Sequence, residues 1–383
     1  MYFRDIPGKS EEKRALIQAV NDDKIPHAQM MLGRAGSGSL PLALAVAAYI
    51  LCTNRDATDS CGACPSCIKA HKYAHPDLHF AFPVVKQSGL KRDETSSNSW
   101  LKEWRSALAE RPYMDITSWQ SVMGAENSQP NINKKECLDI VHKLGMKSFE
   151  SRHKVLILWL PEYLGKEGNR LLKLIEEPAP DTVIIMVANR QEDILNTIIS
   201  RVQITKVSPF SIEEVAAVLQ ADHAVESATA RQIAVMADSN LGRAIDMVSG
   251  QHTDYSTALF DWIRTAYKME PVGLQQWVDE AARWGREGQK NFLDYSLHFF
   301  REYIFWQLSG SSEVRLSRAE QETATKMKQI IDIPKAEKIV LLLDKAYAAV
   351  VRNANVKILL TADSMKLAYI MRGIDHQPPL YEV

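Results

Sequence analysis

Apolar residues fall along this chain in two rhythms. Up to about residue 207 short apolar runs recur, at Ala28–Leu32, Lys154–Leu160 and Thr182–Ala188. Runs of that length suit strands buried on both faces of a parallel sheet. His79–Val85, with its aromatic and β-branched residues, reads as one more strand. Between the runs lie segments with apolar residues at helical spacing: Ser10–Val20, Pro41–Tyr49, Asn133–Lys147 and Asn169–Glu177. Pro178 disfavours helix at the residue before it and ends the last of these. Strands alternating with helices imply right-handed βαβ units and a parallel sheet. After Ser208-Pro209-Phe210 only helical stripes remain, through 211–250, Leu259–Tyr267, Leu274–Trp284, Phe292–Leu308, Ile339–Val351 and Val356–Arg372. The pattern therefore predicts an α/β core at 1–207, with all-α segments at 208–250 and 251–383. A chain of 383 residues exceeds the usual single-domain size and accommodates that division.

One stretch fits neither rhythm. Residues 86–130 are loop-like at Ser88-Gly89, Thr95–Ser99 and Gly124–Pro130, with a helical piece around Trp100–Glu110. The expectation is an insertion on the surface of the core. Trp100, Trp104 and Trp119 within it either form a docking patch or pack against the parent domain. The tail Gln377–Val383 is expected to pack loosely.

The first candidate chemistry is Gly33-Arg34-Ala35-Gly36-Ser37-Gly38-Ser39-Leu40, between a predicted strand and a predicted helix. Strand, glycine loop and helix is the setting of a phosphate-binding P-loop. Ser39 stands where that pattern has Lys, and Leu40 where it has Ser or Thr. A serine cannot supply charge to the β- and γ-phosphates, and a leucine cannot ligate Mg²⁺. In a P-loop ATPase the second apolar run would end in acids, but here it ends in Trp159 and Leu160. Glu162, beyond Pro161, is expected as a helix N-terminal acid. Gly33, Gly36, Gly38 and Ser39 are thus the remnants of a cofactor site at which no ATP is expected.

The second candidate is Cys52, Cys61, Cys64 and Cys67, four of the five cysteines in one short segment. Four thiolates at C-x8-C-x2-C-x2-C spacing suit tetrahedral Zn²⁺, and a closed four-ligand site is structural, not catalytic. A redox C-x-x-C pair would not need the third and fourth cysteines. His71, His75 and His79 lie near enough in sequence to compete as ligands. Cys137 is expected as a small buried apolar residue. The formal net charge of −1 gives no global pull toward nucleic acid or an anionic membrane. No apolar run approaches membrane-spanning length and the first residues do not resemble a signal peptide, so the cytoplasm is the expected location.

Leu171-Leu172-Lys173-x-x-Glu176-Glu177-Pro178, a strand, then Thr197-Ile198-x-Ser200-Arg201 resembles the clamp-loader branch of the AAA+ superfamily. The cysteine knuckle after the P-loop helix, His75-Pro76-Asp77, and Asn353-x-Asn355 point to its bacterial replicative members. The resemblance covers most of the chain, and 86–130 depart from it. It implies a RecA-like AAA+ core with an inserted zinc module (52–67), a small helical lid and a helical collar. The collars of this family join five subunits in a ring. Implied partners are gamma/tau-type motor subunits and a delta subunit of the DNA polymerase III holoenzyme, with the sliding clamp and primer-template DNA reached through the complex, and no membrane. Arg201 matches the arginine that reaches in trans to a neighbour's ATP, and Val202 replaces the cysteine that usually follows it. Asn189 falls where active relatives place a γ-phosphate sensor. The lid's sensing position falls on Gly242, beside Arg243.

The function expected is an inactive scaffold subunit of the clamp loader, supplying Arg201 to a neighbouring ATPase. Two alternatives stand beside it: an ATP-hydrolysing motor subunit of the same loader, and a zinc-knuckle nucleic-acid binder. The missing lysine, hydroxyl and acids oppose the first alternative. The neutral charge and the lack of basic clusters with aromatics around the knuckle oppose the second.

Overall fold

The computed structural model describes residues 1–87, 89, 94–125, 128–249, 255–310, 314 and 316–374. Ser88, Glu126 and Asn127 of the expected loops, and the tail Gln377–Val383, lie outside the described residues. The chain divides into two compact units, Met1–Ala125 with Gln129–Gly250, and Gln251–Val383 with Glu126–Ser128.

In the first unit α1 (Ser10–Asn21) precedes β1 (Ala28–Leu32), α2 (Ser39–Leu51) and α3 (Pro65–His71). Then come β2 (Leu78–Ala81), α4 (Leu101–Glu110), α5 (Ile116–Val122), α6 (Lys134–Gly145) and β3 (Lys154–Trp159). A 3₁₀ stretch, Pro161–Leu171, runs into α7 (Leu172–Glu176), followed by β4 (Thr182–Ala188), α8 (Asn196–Ile199) and β5 (Gln203–Lys206). The sheet order is β2-β3-β4-β1-β5, and every neighbouring pair is parallel. Met30 at its centre lies opposite Met186 of β4 and Ile204 of β5. All residues of β3 and β4 are buried, as their unbroken apolar runs require. The strand expected over His79–Val85 pairs only through Ala81; Pro83 has no N–H for a ladder, and Val84 makes an isolated antiparallel bridge to Asn131.

One face of the sheet is covered by α2, which is buried along its whole length and apolar all round. The other face is covered by α6, the 3₁₀ stretch, α7 and α8, in a cluster that includes Cys137. Cys137 is the small buried apolar residue expected, and burial pushes its thiol up to about 12.

Three more helices complete this unit: α9 (Ile212–His223), α10 (Ser227–Met236) and α11 (Leu241–Val248). Ser211 caps α9 in a capping box with Glu214. Ser227 is not a cap; the Glu226 side chain accepts from the Thr229 N–H instead. Val215, Leu219, Ala234 and Leu241 of these helices belong to the same buried cluster as α2 and one face of the sheet.

The second unit is helical: α12 (Tyr255–Lys268), α13 (Pro271–Arg283), α14 (Gly285–Ser309), α15 (Arg318–Met327), α16 (Ile333–Val351) and α17 (Val356–Arg372). Trp262 stacks on Trp277 at 5.1 Å and donates to Ser364 Oγ at 2.7 Å. The Asn353-x-Asn355 motif is structural here. Asn355 caps α17, and Asn353, with φ 65°, accepts from Arg286.

Candidate functional site: an eroded nucleotide cleft, an exposed arginine and a cysteine cluster

The loop after β1 keeps the backbone of a phosphate cradle. Gly33 N–H donates to Ala188 O at 3.0 Å, and Gly36 (φ 75°) and Gly38 (φ 91°) make the left-handed turns that lead into α2. Inside it Ser37 Oγ and Ser39 Oγ are hydrogen-bonded to each other at 3.0 Å, both buried. The space above the loop is occupied. A Cβ on Gly36 would fall 1.8 Å from Asn240 Oδ1, and one on Gly38 would fall 2.9 Å from the Phe210 ring. Tyr113, Met114, Trp159 and Asn189 line the small, partly open hollow that remains, whose volume is about 20 Å³. That is room for about one water, against ~300–1,000 Å³ for a typical ligand pocket.

Two of these residues, Tyr113 and Met114, were not legible as site residues. Trp104 of α4 stacks on Phe82 at 4.0 Å and lies 5.1 Å from Trp119 and 5.1 Å from Trp159. Trp104 and Trp119 are fully buried, and Trp119 donates to Pro83 O at 2.8 Å. Residues 97–123 are therefore not a surface insertion; they belong to the core, because these rings bury more apolar area than a loop can leave in water. Tyr113 and Met114 follow from the same segment. A larger hollow of about 380 Å³ lies on the far side of Tyr113 and Gly242. It contains no residue of the glycine loop, and its lining carries Asp5, Glu110, Asp222 and Asp246 with Arg111, a poor setting for a polyphosphate.

Glu162 sits in the first turn of the 3₁₀ stretch, as expected, but its carboxylate reaches across to the end of β4. Oε1 accepts from the N–H groups of Asn189 at 2.5 Å and Arg190 at 2.9 Å. Oε2 is buried without a hydrogen-bond partner. Burial outweighs the two N–H bonds and raises this carboxyl to about 7. Asn189 is thus tied by its backbone.

Arg201 lies at the other end of the sheet. The glycine loop follows the carboxyl end of β1, whereas Arg201 immediately precedes the amino end of the parallel strand β5. Its guanidinium pairs with Glu176 and donates to Thr197 O at 2.9 Å and Ser200 Oγ at 3.1 Å. The two motifs 171–178 and 197–201 therefore meet through this pair, with both side chains exposed to solvent. Gly242 of α11 packs against the backbone of Tyr113, with an added Cβ only 2.3 Å from its carbonyl oxygen.

The four cysteines converge. Cys52 C-caps α2, and Cys64 N-caps α3 with Pro65 in its first turn. Cys52 Sγ is 3.6 Å from Cys61 Sγ and 4.0 Å from Cys64 Sγ, and Cys61 Sγ is 3.9 Å from Cys67 Sγ. All four sulfurs lie within 4.8 Å of one another. A tetrahedral site with Zn–S of about 2.3 Å requires S···S edges of about 3.8 Å, so the donor set fits a metal ion. N–H groups of Cys61, Cys64 and Cys67 donate to the sulfurs of Cys52, Cys61 and Cys64 at 3.3–3.4 Å, which favours thiolates. The nearby histidines are engaged elsewhere. His71 packs on Tyr2, and His75 bonds Ser66 Oγ at 2.9 Å and accepts from the Asp77 N–H. Burial lowers His79 to about 4, and among the described residues none of the three joins the sulfur cluster. Asp77 accepts from the N–H groups of Phe149, Glu150 and Ser151, so His75-Pro76-Asp77 fixes the approach to β3.

A parallel sheet in this order, a glycine loop between its second-last strand and a buried helix, and a three-helix segment seated on that loop define an α/β AAA+ fold. A family profile described as "DNA polymerase III, delta subunit" matches residues 8–211, more than half of the chain, and the chain belongs to that family. Among curated relatives, DNA polymerase III subunit delta' of Bacillus subtilis is 24% identical over 197 residues, 51% of this chain and 46% of its own length. DNA polymerase III subunit gamma of Buchnera aphidicola is 25% identical over 214 residues, 56% of this chain and 47% of its own. The matches thus span about half the length of these relatives. Among solved structures, a DNA polymerase III gamma subunit-related protein of Thermotoga maritima aligns over 93% of this chain and 99% of its own, with 14% identity and a TM-score of 0.42. Among the described residues no helix is long and apolar enough to cross a membrane.

Proposed function

We propose that this chain is a scaffold subunit of a replicative sliding-clamp loader that hydrolyses no ATP itself and presents Arg201 to ATP held by a neighbouring subunit. One observation carries the reading: the cleft above the glycine loop has about 20 Å³ of space, and Ser39, Leu40, Trp159 and Leu160 stand where binding and hydrolysis need a lysine, a hydroxyl and acids. That observation, more than overall identity, separates a delta'-like scaffold from a gamma-like motor, since relatives of both names match at similar identity. Arg201 supports the second half of the reading. It is charged and partly exposed, and among the described residues its partners are Glu176, Thr197 and Ser200, which supports its being available to a partner. A guanidinium reaching a transferring phosphoryl group stabilises the charge that develops there. The partners in this reading are gamma/tau-type motor subunits and a delta subunit in a five-membered ring, acting on the clamp and primer-template DNA, with residues 251–383 as the collar.

The test is reconstitution with motor subunits, delta subunit, clamp and primed DNA. Arg201→Ala is expected to lower stimulated ATPase while leaving assembly intact. Arginine fingers contribute about 10³–10⁵ in rate at an isolated site, and the remaining sites in the ring mask part of this. Unchanged ATPase and clamp loading would refute the role of Arg201.

In the same reading Cys52, Cys61, Cys64 and Cys67 hold one structural Zn²⁺ that ties the end of α2 to the start of α3. Metal analysis of the purified chain should return about one zinc per chain, and its removal should destabilise the first unit. A metal-free chain of full stability would sink this assignment.

A further inference from the structure

We propose that Pro112-Tyr113-Met114 is a built-in occupant of the nucleotide cleft, holding the helices α9–α11 against the sheet as a bound nucleotide otherwise would. The proposal deepens the reading of the cleft as inactive and rests on it. Three contacts carry it, each involving a different part of the cleft. Over the glycine loop, Tyr113 and Met114 line the residual hollow together with Gly36, Gly38 and Ser39. At the end of β3, Trp159 stands where hydrolysis needs an acid, and Trp104, from the helix that leads into Pro112, packs on it at 5.1 Å. On the lid side the Tyr113 ring meets Phe210 edge-on at 6.0 Å, its carbonyl lies against Gly242, and Arg111 is 3.7 Å from Asp246 of α11.

The fit at Gly242 is the most telling of these. Its backbone is not in the left-handed region, so a turn does not require glycine there. A Cβ would come within 2.3 Å of the Tyr113 carbonyl oxygen, a backbone atom that cannot swing aside. The lid position that would carry a nucleotide-sensing side chain is therefore shaped to receive residue 113. Tyr113 also carries the cost of a filler: its hydroxyl is buried without a hydrogen-bond partner, a penalty tolerated because the ring fills the space. The loop, the strand end and the lid were each matched to this segment, and all three are surfaces a nucleotide bridges in an active AAA+ domain.

Hydrogen exchange on the full-length isolated chain tests this. In Tyr113→Ala, amides of α11 should exchange at least tenfold faster than in the parent chain, while those of β3 and β4 should be unchanged. Gly242→Ala, which adds one methyl group against Tyr113, should loosen α11 in the same way and serves if Tyr113→Ala does not fold. Tyr113→Phe keeps the ring, loses the unpartnered hydroxyl and should exchange as the parent does. Millimolar Mg-ADP should leave exchange of residues 33–38 in the parent unaltered. The proposal is overturned if α11 keeps its protection in both Tyr113→Ala and Gly242→Ala, if Tyr113→Phe loosens it as much as alanine does, or if Mg-ADP protects the loop. No neighbouring subunit is present in these measurements, so a failed Arg201 assay would leave them intact and the two readings fall separately.

Discussion

The two ends of the central sheet have had opposite fates. At the carboxyl end of β1 the glycine loop keeps its turns, but Tyr113, Met114, Trp159 and Asn240 fill the space a nucleotide would need. At the amino end of β5 Arg201 stays partly open to solvent, its charge held among the described residues by a pair with Glu176 and hydrogen bonds to Thr197 and Ser200. Apolar filling adds buried area and rigidity where chemistry is absent. A charge that must meet a second molecule has to stay in water until that molecule arrives. The turns of the glycine loop and the sheet beneath it are kept; in the proposed role of Arg201 they serve as a fixed platform for the opposite end of the sheet.

Glu162 offers the larger break in that contrast, because it ties the closed end with a buried carboxyl. Its value in the folded chain, about 7, lies above the ordinary 4.5. The protonated form is therefore favoured by folding, and the stability it contributes is full below about pH 4.5 and is lost as pH rises through about 7. The span corresponds to about 3 kcal/mol. Glu162→Gln, neutral at every pH, should gain about 2–3 kcal/mol on the parent chain between pH 5 and pH 8 in urea unfolding. A difference between the two proteins that stays flat with pH would mean that the closed end accommodates a full charge, and the filled cleft would be wetter than its 20 Å³ implies.

Much of this division was legible in the chain. The runs at 28–32, 154–160 and 182–188 are the central strands, and the four cysteines converge as their spacing requires. The replacement of lysine and acids by Ser39, Leu40, Trp159 and Leu160 is a local fact that needs no fold to read. What filled the cleft was not local. Trp104 meets Trp159 and Tyr113 meets Gly242, and no periodicity connects residues so far apart in sequence. The tryptophans could be read as a docking patch or as packing on the parent domain, and only long-range contacts such as that of Trp104 with Trp159 decide between the two. The same holds for Glu162: its position in a first turn was readable, whereas its bonds to the backbone of Asn189 and Arg190 depend on β3 and β4 lying side by side.

The smallest effect is expected at the open end. In the proposed role Arg201 leaves Glu176 to reach a neighbour, and the cost of doing so bounds how strongly that pair restrains it. Both side chains are exposed, at 35% and 47%, so the pair is of the kind worth about 0–1 kcal/mol. Glu176→Gln should therefore change stimulated ATPase in the reconstituted loader by less than about fivefold, upward if release of the guanidinium is slow. A loss as deep as that of Arg201→Ala would mean that the pair, not the free guanidinium, is the working unit. The amino end of the sheet would then be as fixed in its arrangement as the carboxyl end, with Glu176 holding Arg201 in register for the neighbour.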